Sequence, residues 1–326
     1  MRQDMEYIWQ VYQEKSFSKA ADKLFISQPA LSMAIRRAED QLGMPIFDRS
    51  TRPVSLTAAG EAYLDYIRQT QFLAEEMQQR MEDIRNVNTG TIRLGGSHYL
   101  NAYILPEILT DFLKEYPNIH LELVEDSSAV LSKMLAGREL DLTFNCNPRF
   151  MMDFERYPAF QDTILLAVPR RFPVNARISG GMTAGQILSG EHLRPDCPAA
   201  ELTAFQTTEF LLLNSGNNLH DRAIEMFREA GFHPRIRLEL AQLVTAHHLA
   251  DAGMGAAFVS DRMIRQPEDN LVYYRLHSPQ AVRTFYMLLP NRRYTSQAVR
   301  RFISFFEEKM EIQAAGPIEH KRAVSL

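Results

Sequence analysis

A chain of 326 residues, 45% hydrophobic and 23% charged, is long enough for two or three globular domains, and its composition excludes collagen, coiled coil throughout and wholesale disorder. Its net charge of −4 gives no general attraction for nucleic acid, so any basic surface must be local. The two cysteines, Cys146 and Cys197, lie far apart with no Cys or His cluster beside either, which argues against a disulfide framework or a zinc site; no metal and no cofactor is expected.

The opening residues, MRQDMEYIWQ, carry acids where an export signal needs a basic start, and no later stretch approaches the ~20 apolar residues of a membrane span. A soluble cytoplasmic protein with no membrane partner is expected. Met5, Ile8, Trp9 and Tyr12 repeat at helical spacing, predicting an amphipathic helix capped by Asp4. Ser18 is placed to cap a second helix, KAADKL, whose Ala20 and Ala21 allow a close crossing. After the connection FIS, Ser27 stands as the cap of a third helix with Gln28 and Pro29 in its first turn, and Gly43 closes it in the left-handed conformation.

Ala30, Leu31, Ala34, Ile35, Ala38 and Leu42 take the core side of that helix, leaving Gln28, Ser32, Met33, Arg36 and Arg37 outside. On an arbitrary helix this is a solvated face. On the second helix of a helix-turn-helix the same residue types suit base edges in a major groove. PIFDRSTRPVSLT then reads as strand, turn and strand, a wing with Arg49 and Arg52 projecting on either side of its tip toward phosphate or the minor groove. Residues 1–60 hold eight basic and seven acidic side chains, so Glu39, Asp40 and Asp48 have to face away from a duplex.

The stretch FSKAADKLFISQPALSMAIRRAEDQLGMPIFDRSTRPVSLTAAG resembles, in spacing as well as residue type, the winged helix-turn-helix of LysR-type transcriptional regulators. The resemblance implies that Gln28, Ser32 and Arg36 read bases, with Met33 on the same face and Ser27, Arg37, Arg49 and Arg52 on phosphate or the minor groove. Ala38 departs from the family pattern, which usually has leucine there. Domain boundaries follow: the DNA-binding domain over 1–57, a linker helix over 58–86 capped by Thr57, and a polar hinge over 87–90. At ~1.5 Å per residue the linker is a rod of roughly 43 Å. Tyr63, Thr70, Met77 and Ile84 recur every seventh residue, with Ala59, Tyr66, Leu73 and Arg80 between them. Such a seam can pack on its own domains; the resemblance implies instead an antiparallel pairing of subunits through Tyr63, Tyr66, Leu73, Met77 and Ile84, in a dimer or tetramer. Two-fold symmetry suits a pseudo-palindromic site in double-stranded promoter DNA, and RNA polymerase is a further expected partner.

From residue 91 strands and helices alternate: TIRLGG, a helix through Leu113, HLELVE, the helix AVLSKMLAG, LDLTF, TILLAV, EFLLL, a helix over 219–230, RIRLEL, a helix over 242–252, and AAFVS. Open α/β sheets bind ligands beyond the carboxyl ends of their strands, which directs attention to GGSHY, EDSS, NCN, NSGNN and the approach to Thr245. Each turn alone is an ordinary helix cap; several at equivalent ends make a small-molecule cleft. LPEILTDFLKEYPNIHLELVE, GRELDLTF, EAGFHPRI and AGMGAAFVS resemble the LysR-type effector domain, a two-lobed α/β fold like that of periplasmic binding proteins. The implied lobes are 91–163 with 268–310, and 164–267, followed by a mobile tail over 311–326. The implied effector contacts are Ser97, His98, Tyr99, Ser127, Ser128, Asn145, Asn214, Ser215 and Thr245. No arginine or lysine lies in those loops, which speaks against a strongly anionic ligand. His98, His247 and His248 supply pH-dependent charge, unless the last two merely share a helix with one packed and one exposed.

An enzyme finds no support in the motifs. There is no P-loop and no GxSxG, and the GxG at Gly253 and Gly255 follows a helix and precedes a strand, the reverse of a dinucleotide fingerprint. A transport binding protein needs export and has no use for a helix-turn-helix. The expected fold is a winged helix-turn-helix dominated by α-helix, a long linker helix, and a two-lobed α/β effector domain. The expected function is effector-controlled, sequence-specific DNA binding.

Overall fold

The computed structural model describes residues 3–85, 89–268, 270–291 and 294–310, without the side chains of Glu75 and Glu82. Residues 86–88, in the expected end of the linker and its hinge, and the expected tail 311–326 lie outside that description. The chain forms two compact units, 1–87 and 88–326.

In the first unit α1 (Gln3–Glu14), α2 (Phe17–Lys23) and α3 (Gln28–Leu42) precede a hairpin of β1 (Phe47–Asp48) and β2 (Ser55–Leu56), and α4 (Ala58–Ile84) follows. Met5, Ile8, Val11, Ala20, Ala21, Leu31, Ile35, Ala38, Ile46, Phe47 and Ile67 form one core. Two expected caps are corrected. Asp4 lies inside the first turn of α1, and α2 begins two residues early because Ser16, in extended backbone, accepts from Lys19 N–H in place of Ser18. The core face of α3 is narrower than its apolar residues suggest: Ala30 and Leu42, at the two ends of the helix, are exposed. The start of α4 is tied to the wing. Thr57 donates its hydroxyl to Pro45 O at 2.6 Å and accepts from Gly60 N–H at 3.0 Å. A Cβ on Gly60 would stand 2.0 Å from Ile46 O, so only glycine lets the helix approach this closely.

The second unit is built on a nine-stranded sheet. In chain order it contains β3 (Gly90–Gly96), α5 (His98–Tyr103), α6 (Leu105–Glu115), β4 (Ile119–Glu125), α7 (Ser128–Ala136), β5 (Leu142–Asn145), β6 (Phe154–Pro169) and α8 (Ala184–Leu188). There follow β7 (Glu209–Leu213), α9 (Asn218–Glu229), β8 (Arg235–Leu240), α10 (Leu243–Asp251), β9 (Ala256–Ser260), β10 (Leu271–Arg275), β11 (Val282–Pro290) and α11 (Gln297–Lys309). The strand order is β4-β3-β5-β11-β6-β9-β7-β8, with β10 also on β6. Strand β6 makes this two lobes: its residues up to Thr163 pair antiparallel with β11, and those from Ile164 on pair with β9 and β10. Strands β4 and β5 run parallel to β3 in one lobe, and β8 and β9 parallel to β7 in the other, so each lobe is a β-α-β array. The expected assignment of 268–310 to the first lobe needs correction. Leu271–Arg275 pair with Leu165–Pro169 in the second lobe, and the chain returns to the first lobe only at β11.

Candidate functional site

The exposed side of α3 is set by its cap and its core side. Ser27, at φ −73 and ψ 144, accepts from Ala30 N–H, and Leu31, Ile35 and Ala38 face inward. Gln28, Met33, Arg36 and Arg37 are left exposed and Ser32 half-buried, with Gln28 Nε2 donating to Ser32 Oγ at 2.9 Å one turn on. Among the described residues neither Arg36 nor Arg37 enters an ion pair. The wing differs from expectation. Arg49 is turned back onto α3, 2.9 Å from Glu39 Oε2, with its guanidinium 5.0 Å from the Phe17 ring, and does not project from the tip. Glu39 also accepts from Ile46 and Phe47 N–H through Oε1, at 2.9 and 3.3 Å, which explains the inward turn. Asp48 accepts from Ser50 Oγ and N–H inside the turn, and these bonds hold its carboxyl below the usual range. Arg52 stays exposed.

On α4, Tyr66, Leu73, Met77 and Ile84 are exposed, the last three by 60%, 63% and 73%. Tyr63, expected in the same seam, packs instead against the core of its own unit.

Between the lobes lies a cleft of about 480 Å³. Four helices, α5, α7, α9 and α10, begin at it, with Ser97, Ser127, Asn217 and Gln242 as their caps. Ser97 makes no side-chain cap bond, so its hydroxyl is not spent on its own helix. Of the expected contacts, Ser97, His98, Tyr99, Ser127 and Ser128 line the cleft; His98 Nδ1 is 3.1 Å from Glu125 Oε1. Asn145, Asn214, Ser215 and Thr245 are not among the lining residues. Asn145 is buried behind the wall, where it donates to Ser132 Oγ at 3.2 Å and accepts from Asn147 N–H at 2.9 Å, so it shapes the loop. In the NSGNN turn the wall is Gly216, Asn217 and Asn218, the residues that lead into the first turn of α9. His247 is 3.2 Å from the Tyr273 hydroxyl and half-buried, while His248 is exposed, as the plainer reading of that pair has it.

The floor of the cleft adds a charged pair that the loops did not reveal. Arg283, on β11, is buried and binds Asp162 of β6 through both Nε, at 2.8 Å, and Nη2. Burial works against its charge, but the Asp162 carboxylate outweighs burial and raises the guanidinium pKa. Tyr99 Oη donates to Asp162 Oδ2 at 3.0 Å and lies 2.8 Å from Ser260 Oγ of the second lobe, and burial followed by the Asp162 charge drives its pKa well up. Cys146 Sγ lies 3.1 Å from Asn218 Oδ1, also across the lobes. Burial pushes the Cys146 thiol up to about 11, so it is no thiolate at neutral pH. Among the described residues no His, Cys, Asp and Glu side chains gather as a metal site, and no helix is long and apolar enough to cross a membrane.

Comparison with known proteins bears on both regions. The family model described as "Bacterial regulatory helix-turn-helix protein, lysR family" matches residues 2–61, and "LysR substrate binding domain" matches 85–183 and 186–311. Over 311 residues the chain is 27% identical to the uncharacterized HTH-type transcriptional regulator YcgK of Bacillus subtilis, covering 94% of each chain. It is likewise 27% identical over 316 residues to a probable RuBisCO transcriptional regulator of Emiliania huxleyi, covering 94% of this chain and 93% of that one. Among solved structures, full-length CbnR complexed with its target DNA superposes with a TM-score of 0.65 at 21% identity, over 94% of this chain and 98% of CbnR. A full-length cysteine-to-aspartate variant of OxyR from Pseudomonas aeruginosa gives 0.64 at 21% identity, over 95% of this chain and 94% of that one.

Proposed function

The chain belongs to the LysR family of DNA-binding transcriptional regulators with an effector-binding domain, and from that premise we propose which of its residues read DNA and where its effector sits. Gln28, Ser32 and Arg36 read base edges in the major groove, with Met33 in apolar contact beside them. Ser27, Arg37 and Arg52 position the head on phosphate, and Arg49 serves chiefly to brace the wing against Glu39. The effector occupies the cleft between the lobes and meets the hydroxyls of Ser97, Ser127 and Ser128, the amides of Asn217, Asn218 and Gln242, and the N–H groups of four helix starts. Because Arg283 is already matched by Asp162 while Glu125 and Asp126 stand on the wall, the site favours a small polar molecule over a polyanion. The observation that carries this reading is the convergence of four helix starts on one cleft, in a chain whose other unit presents an unpaired arginine face on α3.

The cleft is a binding site and not a catalytic one. Its thiol is held protonated and its buried carboxylate is locked to an arginine, so neither serves as nucleophile or base. The exposed Tyr66, Leu73, Met77 and Ile84 of α4 pair two subunits, so that two heads meet a pseudo-palindromic site in the cytoplasm, where RNA polymerase is the further partner.

Binding to a duplex enriched from a random-sequence pool tests the head: at one fixed salt, Arg36→Ala with Arg52→Ala weakens the complex at least about tenfold. Equal binding by the double variant sinks the assignment. For the cleft, a thermal-shift screen of metabolites yields a stabilising compound whose effect Ser97→Phe abolishes; an undiminished shift in that variant puts the effector elsewhere.

A further inference from the structure

The turn between α2 and α3 holds a side chain that folding alone does not explain. Phe25 N–H donates to Asp22 O at 3.2 Å and Ile26 N–H to Ala21 O at 3.1 Å, the paired bonds of a helix ending in a left-handed residue, and Phe25 is that residue at φ +56. Glycine occupies such a position at least cost, and asparagine next, because a Cβ there crowds the following carbonyl. Lys15 and Arg138 are the other described non-glycine residues with positive φ. Both are cations just past a helix end, where the negative end of the dipole favours them. Phe25 has no such compensation. Its ring is 94% exposed, while its neighbour Ile26 packs against the core of the unit. An aromatic ring is thus held in water on an unfavourable backbone, and a partner outside the chain that covers the ring removes the first cost and offsets the second.

The position of the ring names the occupant. Phe25 stands two residues before Ser27, the cap of α3, and so beside the end of the helix that enters the groove. What flanks a major groove at that point is the sugar–phosphate wall, whose deoxyribose rings present C–H faces between the phosphates. We propose that Phe25 is a DNA-contacting residue whose ring seats on a deoxyribose of the strand bordering the groove; this rests on the reading of α3 as the DNA-reading helix. The contact is apolar, so it adds affinity without releasing counterions and without preferring a base. A head with eight basic and seven acidic side chains in its first sixty residues has use for such a contact.

The test uses the full chain, a duplex that the wild type enriches from a random-sequence pool, and a scrambled duplex of the same length. Asparagine tolerates the left-handed backbone, so Phe25→Asn melts at or above the wild-type temperature, yet its Kd is weakened about tenfold on both duplexes. The slope of log K against log salt stays unchanged. Phe25→Leu, which keeps an apolar side chain, recovers part of the affinity. Wild-type Kd in the asparagine variant overturns the proposal, as does a loss confined to the enriched duplex or a loss that comes with a lower melting temperature. If the wild type enriches no duplex at all, the reading of α3 falls and this proposal with it. If enrichment succeeds and Phe25→Asn binds equally, only the role of Phe25 falls.

Discussion

Replacing Arg283 by methionine tests whether the buried pair at the cleft floor holds the lobes. The side chains of Arg283 and Asp162 are 5% and 0% exposed and share two hydrogen bonds. Methionine keeps much of the arginine's length but leaves the Asp162 carboxylate with the Tyr99 hydroxyl, 3.0 Å away, as its remaining side-chain donor. Removing one member of a buried pair costs about 3–5 kcal/mol. In a domain of this size each kcal/mol lowers the melting temperature by about 2–4 °C, so the effector domain melts roughly 6–20 °C earlier. Arg283→Met with Asp162→Leu leaves no buried charge and regains most of the loss. Calorimetry on the full chain reads both, and the head, a separate compact unit, serves as internal reference. If the single and double variants lose stability equally, or the single variant loses less than about 1 kcal/mol, the pair does not have the role assigned to it.

Two further outcomes are expected. The Cys146 thiol titrates near 9 in the unfolded chain and near 11 in the fold, so the folded state binds more protons between those values and stability falls as pH rises from about 9 to about 11. Urea midpoints across that range show the fall at up to about 1.4 kcal/mol per pH unit, and Cys146→Ala flattens it; identical slopes in both proteins refute the assignment. Glu39→Ala strips the acceptor from Ile46 and Phe47 N–H and frees Arg49, destabilising the head by about 2–4 kcal/mol and weakening DNA binding although Gln28, Ser32 and Arg36 are unchanged. Glu39→Gln, which keeps an amide oxygen, loses less, and the melting temperature of the head is the measure.

The head was legible in the sequence because its signals are local: a serine cap, a proline in the first turn, a closing glycine at φ +72 and the apolar spacing of α3 all act within a few residues. The errors there are offsets of a residue or two, Ser18 for Ser16, or long-range ones, such as Arg49 reaching ten residues back to Glu39. The cleft was half legible. Ser97, His98, Tyr99, Ser127 and Ser128 follow strands whose carboxyl ends topology brings together. Arg283 was not, because it is the second residue of β11, with nothing in its neighbourhood to mark it, and meets Asp162 only through antiparallel pairing across 121 residues. The sixteen-residue β6 also escaped in part: FERYPAF has no clean alternation, since that half pairs in one lobe and the other half in the second.

The total charge of the head hides how that charge is arranged. Eight basic against seven acidic side chains suggests a surface nearly indifferent to DNA, yet the acids are not spread evenly over it. Glu14 lies 2.7 Å from Lys23, Glu39 is spent on the wing root and Arg49, and Asp48 is folded into its own turn. The Glu14 and Glu39 carboxylates are each matched by a cation within a few ångströms, and a matched pair projects little potential beyond a Debye length, whereas Asp48 keeps its charge inside the wing turn. Arg36, Arg37 and Arg52 stand exposed, so the field at the reading face is set by these cations and not by the total. A salt-dependence slope for the wild type larger than the nominal charge of the head accommodates is therefore the expected signature of this arrangement.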